Sequence, residues 1–318
     1  MNVPSMRTTD LELVVTARDR HSAGVVGLTL SSPDAADLPP WEPGAHIDVR
    51  CGDVVRQYSL CGDRAARSSY HIAVLREAEG RGGSAYLHDE VRLGDRLTVS
   101  APRNNFALVE AERYVFIAGG IGITPIVPML AEATALGKPW TLAYGGRSRS
   151  TMAFQRELAE MGPQVSVLPE DESGLLDLEA LLAEPQSGTK IYCCGPAALL
   201  NATEKAAAHW PPGSLHIERF VPKALEVSTD REFEVRLARA GTSHRIPPGT
   251  SIIDVLADAG VGVPSSCGVG TCGTCESVVL EGVPEHRDSI LNDEERAEGT
   301  YMMICVSRAS SPALVLDI

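Results

Sequence analysis

Four cysteines constrain this chain more than any other feature of it. Cys267, Cys272 and Cys275 fall within nine residues, and Cys305 follows after twenty-nine more. Gly268, Gly270 and Gly273 are interleaved with them in the run SCGVGTCGTC. Such a loop is made to wrap a bound group, because glycine lets backbone N–H groups approach where bulkier side chains would hold the backbone away. Eight cysteines are present in all, and in a reducing compartment this spacing points to metal or redox chemistry before disulfides. Cys51, Cys61 and Cys193 stand apart and read as ordinary buried thiols.

The pattern C-x4-C-x2-C with a distant fourth cysteine is the spacing of a plant-type 2Fe-2S site. Zinc is the competing occupant, but structural zinc favours paired Cys-x2-4-Cys knuckles. The rest of the chain must then supply a scaffold for redox chemistry. At 318 residues and roughly 150 residues per domain, two domains are expected, or three if one is small. Apolar residues make up 44% and charged residues 22%, which suits globular cores and excludes collagen-like, coiled-coil and wholly disordered chains. Basic residues number 28 against 42 acidic, a net charge of −14, so the footprint of a nucleic-acid binder is missing and an anionic membrane is a poor partner. No apolar run approaches the ~20 residues of a membrane span, and MNVPSMRTTDLELVV lacks the apolar centre of a signal peptide. The cytoplasm is the expected compartment.

No repeat of 20 to 50 residues is present, and the chain instead changes style twice. From Leu11 to about Leu108 short alternating runs such as LELVVTA, AHIDVR, YHIAVL and DRLTVS, broken by Pro and Gly, predict an antiparallel β-barrel with almost no helix. From Tyr114 apolar strands (114–118, 141–145, 165–168, 190–194 and 215–220) alternate with helical stretches (126–135, 154–161, 177–183 and 197–208). That is the pattern of a doubly wound parallel α/β domain. Residues 221–229, VPKALEVST, read as a linker, and a small α+β module with strand FEVRLAR and helix IIDVLADAG closes the chain. The expected domains are 1–109, 110–222 and 223–318.

Two further motifs carry chemistry. GGIGITP, residues 119–125, follows the first α/β strand and opens a helix, so that a dinucleotide pyrophosphate could approach the backbone and the helix N-terminus. CCGP, residues 193–196, ends the fourth strand, and in a sheet ordered 3-2-1-4-5 both glycine turns line one crevice. In the barrel, RQYSL (56–60) and GRGGS (80–84) offer an Arg for a phosphate, Tyr58 for a flat ring, and N–H and hydroxyl donors at Gly82, Gly83 and Ser84.

In this domain order the motifs resemble the phthalate dioxygenase reductase and vanillate O-demethylase reductase family, a branch of the ferredoxin-NADP reductase superfamily. The resemblance covers essentially the whole chain. It implies FMN in the barrel, NADH in the α/β domain and a plant-type 2Fe-2S ferredoxin of β-grasp fold at the C-terminus, ligated by Cys267, Cys272, Cys275 and Cys305. It puts Arg56 on the flavin phosphate, Tyr58 and Ser59 against the isoalloxazine with Ala73, Val74 and Leu75 beside it, and Gly82, Gly83 and Ser84 on the phosphate side. Gly119, Gly120, Gly122 and Thr124 match the pyridine-nucleotide turn, Cys194, Gly195 and Pro196 lie near the nicotinamide, and Phe220 in HIERF would lie over the flavin. The lesser alternative for Phe220 is a core aromatic at a strand end.

Arg147 and Arg149 in GGRSRS could greet the 2′-phosphate of NADP, whereas PEDESG (169–174) sets carboxylates where an adenosine ribose might lie. NADH is the favoured donor, and FMN over FAD rests on the resemblance. The implied activity is an NADH-dependent oxidoreductase passing electrons through FMN and the cluster to a terminal oxygenase, a Rieske-type dioxygenase or demethylase, with no catalytic acid, base or nucleophile of its own. A reductase for a haem-thiolate monooxygenase and a redox-sensing carrier are the alternatives, and a monomer is expected. Residues 228–318 hold 14 Asp and Glu against 7 Arg and no Lys. Glu281, Glu285, Asp288, Asp293, Glu294, Glu295 and Glu298 lie between the third and fourth cysteines, an acidic face suited to docking on a basic partner or to solubility.

Overall fold

The computed structural model describes residues 10–80, 82–223 and 230–318, apart from the side chain of Asp293. The expected linker residues 224–229 lie outside these. The chain divides into two units, Thr8–Glu218 and a second holding Arg219–Ile318.

The first unit begins with a six-stranded antiparallel sheet: β1 (Leu11–Ser22), β2 (Val25–Ser31), β3 (His46–Cys51), β4 (Val54–Ser59), β5 (Ser69–Leu75) and β6 (Arg96–Val99), ordered β4-β3-β6-β1-β2-β5. Leu60, just past β4, bridges Ile72 of β5 and closes the barrel. Inward residues alternate as the sequence does, so Leu13, Val15, Leu28, Leu30, Ile47, Val49, Ile72 and Val74 form one buried cluster. A two-residue turn joins β3 to β4, with Gly52 at φ +59°, where a side chain would be strained. One helix was not expected here: α1 (Gly83–Asp89). Its seven residues are too few to stand out as a period.

The α/β segment has β7 (Arg113–Gly119), β8 (Trp140–Gly146), β9 (Val165–Pro169), β10 (Thr189–Cys194) and β11 (Leu215–Glu218), all parallel in the order β11-β10-β7-β8-β9. This is the 3-2-1-4-5 order expected from the sequence. Its helices are α2 (Ile123–Ala135), α3 (Gln155–Ala159), α4 (Glu170–Ser173), α5 (Leu178–Leu181) and α6 (Ala197–Ala206). Val25, Cys61, Ala73 and Phe106 from the barrel side share one buried cluster with Phe116, Ile126, Tyr144 and Cys194, so the two segments are joined by a common core.

The second unit is an α+β module: β12 (Phe233–Leu237), β13 (Thr242–Ile246), α7 (Ile252–Asp258), β14 (Glu276–Glu281), β15 (Pro284–Glu285), α8 (Asp293–Glu298), β16 (Tyr301–Met303), β17 (Arg308–Ala309) and β18 (Ala313–Leu316). Five strands run β13-β12-β18-β14-β16, with β12 and β18 parallel, the β-grasp arrangement. Helix α8 went unread, although its signals are present: an Asn292/Glu295 capping box and Gly299 at φ +64°.

Candidate functional site

Strand β4 carries Arg56, Tyr58 and Ser59 along one edge of the barrel. A Cβ on Gly83 would fall 2.6 Å from Arg56 Cγ and 3.5 Å from Cys51 Cβ. The first turn of α1 therefore rests directly on the arginine, and only glycine permits it. Gly82, at φ +89°, turns the chain into that helix, and Ser84 Oγ accepts the N–H of Glu77 at 3.0 Å. A guanidinium beside a glycine-rich helix start suits a phosphate monoester such as that of FMN. Ser59 is buried and its hydroxyl has no partner among the described residues, so a ring with polar edges bound there would satisfy a group that is otherwise costly to bury. The half-buried Tyr58 hydrogen-bonds the Cys51 thiol, and burial pushes that thiol up to about 12.

On β5 the three expected residues part ways. Ala73 lies in the core shared with the α/β segment, Val74 points into the barrel interior, and Leu75 is half-buried. His88 Nε2 donates to the Val74 carbonyl at 2.8 Å. Val74 therefore brings no side chain to a ligand but fixes α1 against β5. Arg18, donating to the His88 carbonyl at 2.5 Å, and Arg76, paired with Asp89 at 2.7 Å, complete that attachment. None of these anchors was read from the sequence, because each joins residues distant along the chain.

In the α/β segment the two glycine turns touch. A Cβ on Gly122 would lie 2.3 Å from the Cys194 carbonyl oxygen, and one on Gly195 would lie 3.0 Å from Gly119 Cα. Gly119 itself leaves room for Pro196 and Leu199, each 2.7 Å from where its Cβ would be. Gly120 takes φ +53°, and the buried Tyr144 donates to its carbonyl at 3.1 Å. Tyr144, which also accepts the Ala153 N–H at 3.1 Å, is a support that sequence reasoning missed. Thr124 is buried and donates to the Ile121 carbonyl at 2.9 Å, so it caps the turn from within. Strand ends this close at the switch point of a parallel sheet form a cradle that a Cβ would fill, which fits a dinucleotide backbone.

Cys194 is fully buried, and its thiol reaches Glu218 at 3.8 Å across the β10–β11 pair. Desolvation pushes the Glu218 carboxyl up to about 8. The acidic residue of HIERF was the signal for this pair. Phe220, two residues beyond β11, has an exposed ring. Arg149 is clasped by Glu172 through Nε to Oε1 at 2.9 Å and Nη2 to Oε2 at 2.8 Å. One arginine that could have met a 2′-phosphate is thus already matched by a carboxylate of PEDESG, which favours NADH.

The second unit gathers Cys267, Cys272, Cys275 and Cys305, all buried. The Cys272 and Cys305 thiols hydrogen-bond Cys267, and Cys305 also meets Cys275. Cys267 Sγ accepts the N–H groups of Val269 and Thr271 at 3.4 Å. The neighbouring Cys272 thiol, then Cys305, then these N–H groups hold Cys267 far below the ordinary thiol range, and the thiolate is the ligating form. Gly268, Gly270 and Gly273 take φ of +66°, +72° and +74°. Their left-handed backbone is what lets the loop curl with its N–H groups inward. Four thiols with backbone donors aimed at sulfur fit an iron–sulfur cluster. A cavity of about 350 Å³ beside Cys305 is lined by Gly268, Val269, Asp230, Arg287 and Arg308 among others. Arg308 is buried and donates to the carbonyls of Thr250, Arg231 and Pro247 at 2.7, 3.0 and 3.0 Å. Asp230 holds Arg287 at 2.8 Å and Arg308 at 3.6 Å.

The acidic face is narrower than charge counting implied. Asp288 is buried, because its Oδ1 accepts the N–H groups of Ile290 and Leu291 at 3.0 and 2.8 Å, and Glu285 pairs with Arg287 at 2.6 Å. Glu281, Glu294, Glu295 and Glu298 remain exposed.

Residues 235–310 match the family of 2Fe-2S iron-sulfur cluster binding domains and residues 116–205 the oxidoreductase NAD-binding domain. The phenoxybenzoate dioxygenase subunit beta of Ectopseudomonas oleovorans is 47% identical over 91% of both chains. The vanillate O-demethylase oxidoreductase of a Pseudomonas species is 38% identical over 97% of this chain and all of its own. Among solved structures, phthalate dioxygenase reductase, described as a modular structure for electron transfer from pyridine nucleotides to [2Fe-2S], superposes with a TM-score of 0.71 at 39% identity, covering 97% and 98% of the two chains. An intact type IV self-sufficient cytochrome P-450 monooxygenase gives a TM-score of 0.93 at 41% identity over 97% of this chain; the chain spans about two fifths of that protein. Likeness of this extent runs through the barrel, the glycine turns and the cysteine loop alike, and the chain belongs to the phthalate dioxygenase reductase and vanillate O-demethylase reductase family of oxidoreductases.

Proposed function

We propose that the chain is the reductase component of an oxygenase system, drawing electrons from NADH and handing them to a separate terminal oxygenase, with FMN and a 2Fe-2S cluster as its resident groups. The observation that carries this reading is the presence, in one chain, of an arginine-and-glycine phosphate site, a paired glycine crevice and a four-thiol loop. When bound, flavin exchanges electrons in pairs or singly and the cluster singly, which reconciles a two-electron donor with a one-electron acceptor. The protein supplies placement. Arg56 and the first turn of α1 hold the flavin phosphate, and the Ser59 hydroxyl and the half-buried Tyr58 orient the ring. Gly119, Gly120, Gly122, Gly195 and Pro196 admit the nucleotide backbone, with Thr124 keeping the turn rigid. Glu218, beside Cys194, retains its proton at neutral pH, so that crevice wall carries no carboxylate charge. The backbone N–H groups of Val269 and Thr271 steady the Cys267 thiolate.

In this reading residues 1–109, 110–222 and 223–318 serve as flavin, nucleotide and ferredoxin domains of a cytoplasmic monomer, and Phe220 covers the flavin. A Rieske-type oxygenase or demethylase is the partner. A haem-thiolate partner is the second reading, supported by the extent of the match to the self-sufficient cytochrome P-450 monooxygenase. The test is anaerobic mixing of the holoprotein with NADH. Loss of nicotinamide absorbance together with the electron paramagnetic signal of a reduced cluster is expected; unchanged nicotinamide absorbance, the behaviour of a redox-sensing carrier, overturns the reading.

A further inference from the structure

Asp288 does not face solvent with its acidic neighbours; it packs against the loop that carries Cys267 and Cys272. Gly270, between those two cysteines, has no room for a side chain there. A Cβ on it would fall 3.0 Å from Asp288 Cα and 2.7 Å from a methyl of Val306, the residue after Cys305. The Ser289 N–H donates to the Gly270 carbonyl at 2.9 Å. Residues 288 and 289 are therefore a wall on which the cysteine loop is pressed.

The Asp288 side chain is fully buried, and one of its oxygens accounts for the turn it makes. Oδ1 accepts the N–H groups of Ile290 and Leu291 at 3.0 and 2.8 Å. Arg296 lies 3.7 Å from the same oxygen and donates to the carbonyls of Asp288 at 2.6 Å and Leu291 at 2.8 Å. Oδ2 has no hydrogen-bond partner among the described residues, and His286 Nδ1 stands 3.8 Å from it. Burial holds that imidazole below its ordinary range, so it brings no opposing charge at neutral pH. An asparagine would close the same turn through its amide oxygen, without the cost of burying a carboxylate whose second oxygen is unmatched. The turn explains the accepting oxygen and leaves the charge unexplained.

We propose that the buried Asp288 carboxylate is a fixed negative charge that lowers the reduction potential of the 2Fe-2S cluster, with the Arg296 guanidinium as its partial counterweight. A cluster gains one negative charge on reduction, so a carboxylate held against its loop disfavours the added electron. Burial leaves that repulsion little screened by salt. Net charge and hydrogen bonds to sulfur are among the features that set such potentials; the N–H groups of Val269 and Thr271 supply the second, and Asp288 contributes to the first. A lower potential makes the cluster a stronger donor to the next acceptor. The inference rests on the reading of the four cysteines as cluster ligands.

The test is a redox titration of the holoprotein followed by the electron paramagnetic signal of the reduced cluster. Asp288→Asn keeps the accepting oxygen, so iron content and melting temperature should stay close to wild type while the cluster midpoint moves to a more positive potential. The shift should survive at about 1 M salt, where the Debye length is near 3 Å; a shift that salt abolishes belongs to surface charge and overturns the proposal. Arg296→Gln removes the opposing charge and should move the midpoint the other way, by less, because that side chain is 32% exposed. An unchanged or lowered midpoint in Asp288→Asn with its cluster intact overturns the proposal alone. Should Asp288→Asn fail to assemble a cluster, Arg296→Gln decides, and an unchanged or raised midpoint there rejects it. A wild type with no reducible 2Fe-2S signal overturns the functional reading together with this one, so the two failures are told apart.

Discussion

The cysteine loop and the flavin edge of the barrel solve the same problem of holding a redox group in opposite ways. In the loop, three of the four cysteines lie within nine residues, and the glycines between them set the curl. On the barrel edge, Arg56 and Ser59 come from one strand, the glycine turn from a short helix, and that helix is secured by His88, Arg18 and Arg76 reaching to three different places. The first site is local and depends on the identity of its own residues. The second is assembled, so its strength is shared among contacts that can be removed one at a time. The paired glycine crevice stands between the two, local in each turn but dependent on two strands arriving side by side.

Cys272→Ser is the severest test of this difference. It should abolish or nearly abolish cluster assembly while flavin content and NADH oxidation with an artificial two-electron acceptor persist. Iron and flavin analysis of the same preparation reads both, and parallel loss of flavin reduction would show that the loop is not self-contained. Next in size is Gly122→Ala, whose added methyl meets the Cys194 carbonyl oxygen at 2.3 Å. Overpacking against backbone costs about 1–3 kcal/mol, and because the strand ends must separate, nucleotide binding should suffer more than folding. A raised KM for NADH with a modest drop in melting temperature is the expected pair of readings; an unchanged KM would detach the crevice from the nucleotide.

Removing Arg56 should be milder than the loss of a cysteine and of similar size to the glycine change. Arg56→Ala deletes one charge-assisted phosphate contact, worth about 1.5–3 kcal/mol, and flavin retained after gel filtration should fall without vanishing. Full retention would reduce Arg56 to a strand residue. Smaller still is Glu172→Gln, which frees Arg149 from an exposed ion pair worth at most about 1 kcal/mol. The ratio of kcat/KM for NADPH over NADH should rise by no more than roughly fivefold, and a fixed ratio would mean that this arginine does not face the nucleotide.

A different kind of effect, on stability rather than on activity, concerns Glu218. Its carboxyl is raised to about 8 in the folded chain by desolvation, so between the ordinary carboxyl range and pH 8 the folded state binds the extra proton. The stability that the neutral carboxyl contributes is therefore full below about pH 4.3 and declines as pH rises toward 8. Urea unfolding of wild type and Glu218→Gln from pH 5 to 9 should show the wild type losing ground to the variant up to about pH 8, with a constant gap above it. Parallel curves throughout would place the carboxylate in water.

The same contrast explains what the sequence could reveal. The gathering of the four cysteines and the two glycine turns was legible because the pattern is written in neighbouring residues, and the order of parallel strands followed from alternating apolar runs and helices. Helix α1 escaped notice because seven residues carry too little period. The Arg149–Glu172 clasp and the His88 attachment join residues far apart in the chain, which no local pattern reports. Counting charge put Asp288 on an acidic face, whereas two backbone N–H groups draw its carboxylate inside.

Asp230 gives the second unit a mechanical property. It is the first described residue after position 223, and its carboxylate grips Arg287 and Arg308, the latter buried and bonded to three carbonyls. Its grip joins the approach to β12 to the residues just beyond the fourth cysteine of the loop. Arg308 lies three residues beyond Cys305, so the clamp works as a strain relief that keeps the fourth sulfur where the other three require it.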